Sequence, residues 1–230
     1  MGRVHNISAS QRKVTSKFVL PPHHVVVIDR PGIKDAQINT GFSGITPLIP
    51  EHYEIELSEV ILGGPFKSRL NQVLREKQGL VYSISSAGQY SAGYGGFYIK
   101  TSTENKKVAD VLMELEKQID LFKRGVGIDE KDLNEAKEYI DGYFDIALSN
   151  RYAVAAKFFE VVLDTQQLNY LDRYKENIQA VSLKAFKAAL QKYFDYSRFK
   201  TVVVGDLKQI EPGLKAKGIK YQVHQVAEFL

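Results

Sequence analysis

Apolar and polar positions change period several times along the chain. His24 to Asp29 is a β-branched run closed by Pro31-Gly32, and Gln37 to Ser43 is a second extended stretch, so the spacing predicts strand, turn, strand. From Glu51 to Leu62 the apolar residues Tyr53, Leu57, Val60 and Ile61 recur at helical intervals, which predicts one buried helical face. Gly63-Gly64 supplies an exit from that helix, and Pro65 suits the first turn of a second one carrying Phe66, Leu70, Val73 and Leu74. Gly79 then releases the chain into a strand over Leu80 to Ala87, and a second strand, Gly96 to Thr103, follows a glycine-rich hairpin.

After Glu104 the pattern is helical, with segments expected near 105–124, 130–148, 150–164, 167–179 and 183–195. Gly125-Val126-Gly127 interrupts the first two. Asp129 with Asp132 forms an acidic cap, and Ser182 is a good N-cap for the last helix. Phe199 to Val204 returns as a buried strand closed by Gly205-Asp206, and Lys220 to Val223 is expected as a final edge strand. Strands followed by a run of helices imply an α+β domain, with helices packed on a mixed, largely antiparallel sheet. Residues 23–230 read as that domain and residues 1–22 as a linker or trimmed junction, because a polar opening ends in Leu20-Pro21-Pro22.

Composition narrows the function classes. The chain has 230 residues, 31 basic and 27 acidic, a net charge of +4 without a block of like charge, so no nucleic-acid surface is expected. No run reaches the eighteen or so apolar residues of a membrane helix. Cysteine is absent, which excludes disulfides, thiolate metal sites and a cysteine nucleophile, and leaves the compartment open.

The five histidines, His5, His23, His24, His52 and His224, include no pair flanking a glutamate at helical spacing, so no metal is expected in this chain. His52 and Glu56 share a helical face, but at the exposed start of a helix such residues are usually solvated. No nucleophile-elbow sequence supports a serine triad, and Gly93 to Gly96 joins two strands as a hairpin tip instead of opening a helix around a phosphate. The remaining constellation is Arg75 with Tyr82, at the end of a helix and the start of the next strand. Both are donors, suited to binding a carbonyl or a developing oxyanion. Equally, Arg75 can pair with a surface carboxylate and Tyr82 can be a strand residue at the core's edge.

Leu62 to Ser85, reading LGGPFKSRLNQVLREKQGLVYSIS, closely resembles the pitrilysin/insulysin family of zinc metallopeptidases. The likeness extends to Val27 through Gly32, Gly127 to Gly142, Tyr170 to Val181 and Thr201 through Asp206, and so covers roughly residues 24–206. The family is built from homologous halves that close like a clam shell over a chamber. One half carries zinc on an inverted His-x-x-Glu-His helix, and the other supplies an Arg and Tyr pair to the substrate. Arg75 and Tyr82 match that pair in type and spacing, whereas the helix from Glu51 to Leu62 lacks the zinc motif.

The resemblance therefore implies the non-zinc half, inactive alone, with zinc in a homologous partner half, fused upstream or separate, and a peptide as substrate. Docking onto that half, or pairing with a second copy, would cover its inner wall. The alternative is a scaffold subunit that kept the fold and lost the chemistry, as relatives in mitochondrial respiratory and processing complexes did.

Overall fold

A computed structural model describes residues 25–65, 67–91, 94–165 and 169–225 of the chain. The expected junction over residues 1–22, together with His5, His23, His24, Phe66 and Gly93, lies outside the described residues. Six strands, β1 (Val25–Asp29), β2 (Asp35–Ser43), β3 (Ser83–Ser91), β4 (Tyr94–Glu104), β5 (Lys200–Gly205) and β6 (Tyr221–Gln225), form one sheet in the order β3-β4-β2-β5-β1-β6. The β3–β4, β4–β2 and β2–β5 pairs are antiparallel, and β1 runs parallel to both β5 and β6. The sheet is thus mixed and mostly antiparallel, as the order of elements predicts.

Period-two alternation gives the sheet one core face. Ala36, Ile38, Thr40 and Phe42 of β2 are buried while Gln37, Asn39 and Ser43 are exposed. Among the described residues, seven α-helices accompany the sheet: α1 (His52–Gly63), α2 (Val108–Lys123), α3 (Glu130–Ala147), α4 (Arg151–Thr165), α5 (Tyr170–Ala180), α6 (Leu183–Tyr193) and α7 (Leu207–Ala216). A chain of rings, Phe42 to Phe97 at 5.6 Å, Phe97 to Phe194 at 4.9 Å and Phe194 to Phe122 at 5.1 Å, ties β2 and β4 to α2 and the end of α6. Apolar burial of this kind is the main force holding helices on a sheet.

The punctuation follows the sequence. Gly125 and Gly127 have φ of +66° and +69°, a conformation that side chains disfavour. Asp129 accepts from Lys131 N at 2.8 Å and Asp132 N at 3.1 Å, while Asp132 accepts from Asp129 N at 2.9 Å, a reciprocal capping box. Ser182 caps α6 by accepting from Ala185 N at 3.2 Å.

Four expectations need correction. The helix expected from Pro65 does not form there: helical backbone begins at Arg69 and is wound as a π-helix over Asn71–Lys77. β3 begins at Ser83, not Leu80, because Leu80 N donates to Leu74 O at 2.8 Å and Leu80 O accepts from Thr103 Oγ1 at 2.5 Å. The core-facing stripe of α1 is His52, Ile55, Ser58 and Leu62 together with Leu57, while Tyr53, Val60 and Ile61 are half-buried, because α1 is covered on two sides. Finally, α7 has no counterpart in the sequence reading, since Pro212-Gly213 lies inside it.

Candidate functional site

Arg75 and Tyr82 sit at the two ends of a short pinned connection. Asn71 Nδ2 donates to Ser68 Oγ at 2.9 Å and to Ile84 O at 3.2 Å, stitching the π-helix to β3. The wide turns show in Gln78 N donating to Val73 O, five residues back. Gly79, at φ +58°, turns the chain, and Tyr82 N donates to Ser102 O at 3.0 Å. Residues 78–81 are thereby held between helix and sheet. Arg75 lies on the helix with its side chain 41% exposed, Nε 3.7 Å from Glu76 Oε1. Tyr82 is 54% exposed at the head of β3, its hydroxyl donating to Asp35 Oδ1 at 3.3 Å. Partial desolvation, with the Asp35 and Glu104 carboxylates nearby, raises the phenol's pKa, so Tyr82 stays a donor. The structure places both residues accessibly on a rigid frame, where their side chains engage different carboxylates.

A second group of polar residues lies toward the far end of β3. His52, Glu56 and Glu59 project from one face of α1 into a cleft of about 910 Å³, walled by the β3 end, α3, α4 and α5. Each meets a tyrosine. His52 Nε2 lies 2.8 Å from the Tyr170 hydroxyl, Tyr174 donates to Glu56 Oε2 at 2.8 Å, and Tyr90 donates to Glu59. Two glycine and serine contacts allow the close approach of α1 to β3: Ser86 Oγ donates to Glu59 O at 2.8 Å, and Gly63 lies directly over Ser86.

Burial governs the charges here. Desolvation, reinforced by Glu59, pushes the Glu56 carboxyl up to about 8, so it holds its proton at neutral pH. Glu59 is raised in the same direction, first by burial. Desolvation, with Lys157 nearby, lowers His52 to about 4, so its imidazole is neutral. This corrects the expectation that His52 and Glu56 lie solvated at an exposed helix start: His52 is 3% exposed. Glu59, Tyr90, Tyr170 and Tyr174 were not singled out by the sequence. Their signal was available in the helical spacings of His52, Glu56 and Glu59 and of Tyr170 and Tyr174, which put each set on one face.

These residues do not fit a zinc centre. Zinc takes four ligands, or three and a water. His52 Nε2 and Glu56 Oε1 approach to 3.5 Å, but among the described residues no three histidine, cysteine, aspartate or glutamate side chains are placed to hold a metal.

Comparison with known proteins agrees with this architecture. Residues 5–140, which take in α1, the π-helix, Arg75, Tyr82 and most of α3, match the family model described as the peptidase M16 inactive domain. Among curated relatives, the chain is 26% identical over 158 residues to a non-peptidase homolog, YmxG, of Helicobacter pylori, covering 65% of this chain and 34% of that protein. It is 25% identical over 166 residues to an uncharacterized zinc protease, YmxG, of Bacillus subtilis, covering 71% and 40%. The chain thus spans well under half the length of these relatives. In fold it is similar to a peptidase M16 inactive domain from Pseudomonas fluorescens, with a TM-score of 0.71, 23% identity and coverage of 81% of this chain and 44% of that one. It is also similar to the periplasmic protease PqqL of Escherichia coli, with a TM-score of 0.66, 15% identity and coverage of 80% and 21%. With more than half of its length matched by the family model, on a sheet and helices of the same fold, the chain belongs to the family of peptidase M16 inactive domains.

Proposed function

We propose that this chain is the substrate-binding half of a zinc metallopeptidase, and that Arg75 and Tyr82 bind the peptide opposite a homologous zinc-bearing half. The observation that carries the reading is their placement. Two donors stand exposed at the ends of one pinned connection, within the stretch most like the family and inside the matched region. Arg75 brings a planar fork of N–H groups and Tyr82 a protonated phenol. Together they orient a peptide carbonyl and stabilise negative charge that develops on it, while the partner half supplies the metal that activates water. This chain, alone, positions substrate.

The test is turnover after reconstitution with a homologous zinc-bearing half. Tyr82→Phe keeps the ring and removes one donor, so turnover should fall about a hundred- to a thousandfold, the usual cost of losing an oxyanion donor. Arg75→Lys keeps charge but not the fork and should also be damaging. Melting temperatures should stay near the parental value, since Tyr82 is exposed and its hydroxyl bond to Asp35 is a surface contact. If both variants cleave at the parental rate, the pair is structural and the chain is a scaffold subunit. That second reading has one specific support, the naming of the Helicobacter pylori relative as a non-peptidase homolog.

A further inference from the structure

We propose that the cleft between α1, the far end of β3 and helices α3 to α5 is a subsite for a basic side chain of a bound peptide, an ammonium or guanidinium that pairs with Glu56 and Glu59 beside the unpartnered Nδ1 of His52. The proposal rests on the peptide-binding reading above and adds a substrate preference to it.

The His52 ring is engaged at one nitrogen and not at the other. Nε2 lies 2.8 Å from the Tyr170 hydroxyl and 3.5 Å from Glu56 Oε1. Nδ1 is buried and has no hydrogen-bond partner among the described residues. An unmet buried polar atom is costly in a folded protein. It calls for a polar ligand group in the cleft.

The rest of the cleft selects the charge of that ligand. Glu56 and Glu59 lie one turn apart on the same face of α1, and Glu160 lines the cleft from α4. The cation already present, Lys157, is paired with Glu160 at 3.0 Å on its own helix. Three acids therefore face one lysine. Around them stand aromatic rings: Tyr90 is 4.7 Å from the His52 ring, and Phe144 and Tyr174 stack at 4.8 Å. Ring faces attract cations, more strongly where water is excluded. Arrival of a cation also favours the ionised forms of Glu56 and Glu59, converting the proton-holding Glu56 into a partner.

Position argues for a peptide-borne cation. From Tyr82 to Tyr90 an extended strand covers roughly 26 Å, the reach of about eight residues of an extended peptide. A substrate held by Arg75 and Tyr82 at one end of β3 can thus lay a basic side chain into the cleft at the other. The volume exceeds the needs of one small amine and falls in the range of sites that enclose a larger ligand.

The experiment uses the full chain without a zinc half and reads binding, so it is independent of the turnover test of Arg75 and Tyr82. The probe is a labelled serine-alanine peptide of about ten residues carrying one lysine, followed by fluorescence anisotropy, beside the same peptide carrying norleucine. The lysine peptide should bind about tenfold tighter. Glu56→Gln and Glu59→Gln, which keep acceptors for Tyr174 and Tyr90, should each shrink that preference, and the double variant should bring it to within twofold of unity. Circular dichroism establishes that the variants are folded. n-Butylammonium should bind much more weakly than the lysine peptide, and equal affinity would assign the cleft to free amines. Failure of the lysine peptide to bind, equal binding of both peptides, or a preference that survives the double substitution would overturn the proposal.

Discussion

At the residue scale, Glu56 and His52 carry opposite pH signatures. Glu56 titrates at about 8 in the folded protein against an ordinary value of 4.5, so the folded form keeps a proton that the unfolded chain releases. Its contribution to stability is full below about pH 4.5, declines as pH rises toward 8, and is flat above. His52, lowered from 6.5 to about 4, refuses a proton that the unfolded chain accepts, so its contribution is full above pH 6.5 and declines as pH falls toward 4. Only the carboxyl effect operates between pH 6.5 and 8 for this pair; Glu59, raised from its ordinary value by burial, has a pH dependence of the same sign as Glu56. Glu56→Gln should therefore be more stable than the parent by about 2–4 kcal/mol at pH 8, with the gain shrinking toward acid. Thermal unfolding across pH 5 to 9 checks this, and parallel curves for the two proteins would refute it.

At the scale of elements, the seat of α1 on β3 decides where its polar face points. A Cβ added at Gly63 would lie 2.7 Å from Ser86 Oγ and 2.8 Å from Ser86 N, too close for any side chain without movement. Gly63→Ala should cost about 1–3 kcal/mol, in the range of core overpacking, and should disturb the cleft more than the opposite end of the sheet. Chemical denaturation gives the first number, and a variant as stable as the parent would show that α1 has room to slide. The same element shows what the sequence could and could not reveal. The limits of α1 to α6, the Asp129 cap, the Ser182 cap and the glycine break at 125–127 were legible because each is local chemistry. The facing of α1 was not, since burial on two sides erases the contrast between apolar and polar stripes. The π-winding of Asn71–Lys77 was hidden because it depends on Asn71 reaching Ile84 across the sheet edge, and α7 was hidden because Pro212 lies inside it, past the first turn where proline is ordinarily accepted. Arg75 and Tyr82 stand out as the proposed pair through resemblance; the tyrosines around Glu56 and Glu59 come from two elements distant in sequence, β3 and α5, and meet only in the fold.

At the scale of the whole molecule, the proposed division of labour predicts assembly. Mixing the chain with a homologous zinc-bearing half should yield a one-to-one species by light scattering, whereas a strict monomer indifferent to that partner would refute the clam-shell reading. The sheet order has a further consequence, for synthesis. β1 has neighbours only in β5 and β6, so its strand partners are encoded some 170 residues after it. At ordinary rates of translation roughly 10–30 seconds separate their emergence from the ribosome. During that interval β2, β3 and β4 can pair among themselves, but Val25 to Asp29 remains an apolar segment with two open edges, the kind of surface that chaperones hold and that aggregates form upon. Completion of the fold is therefore a late event in which the last-made strands close around one of the first.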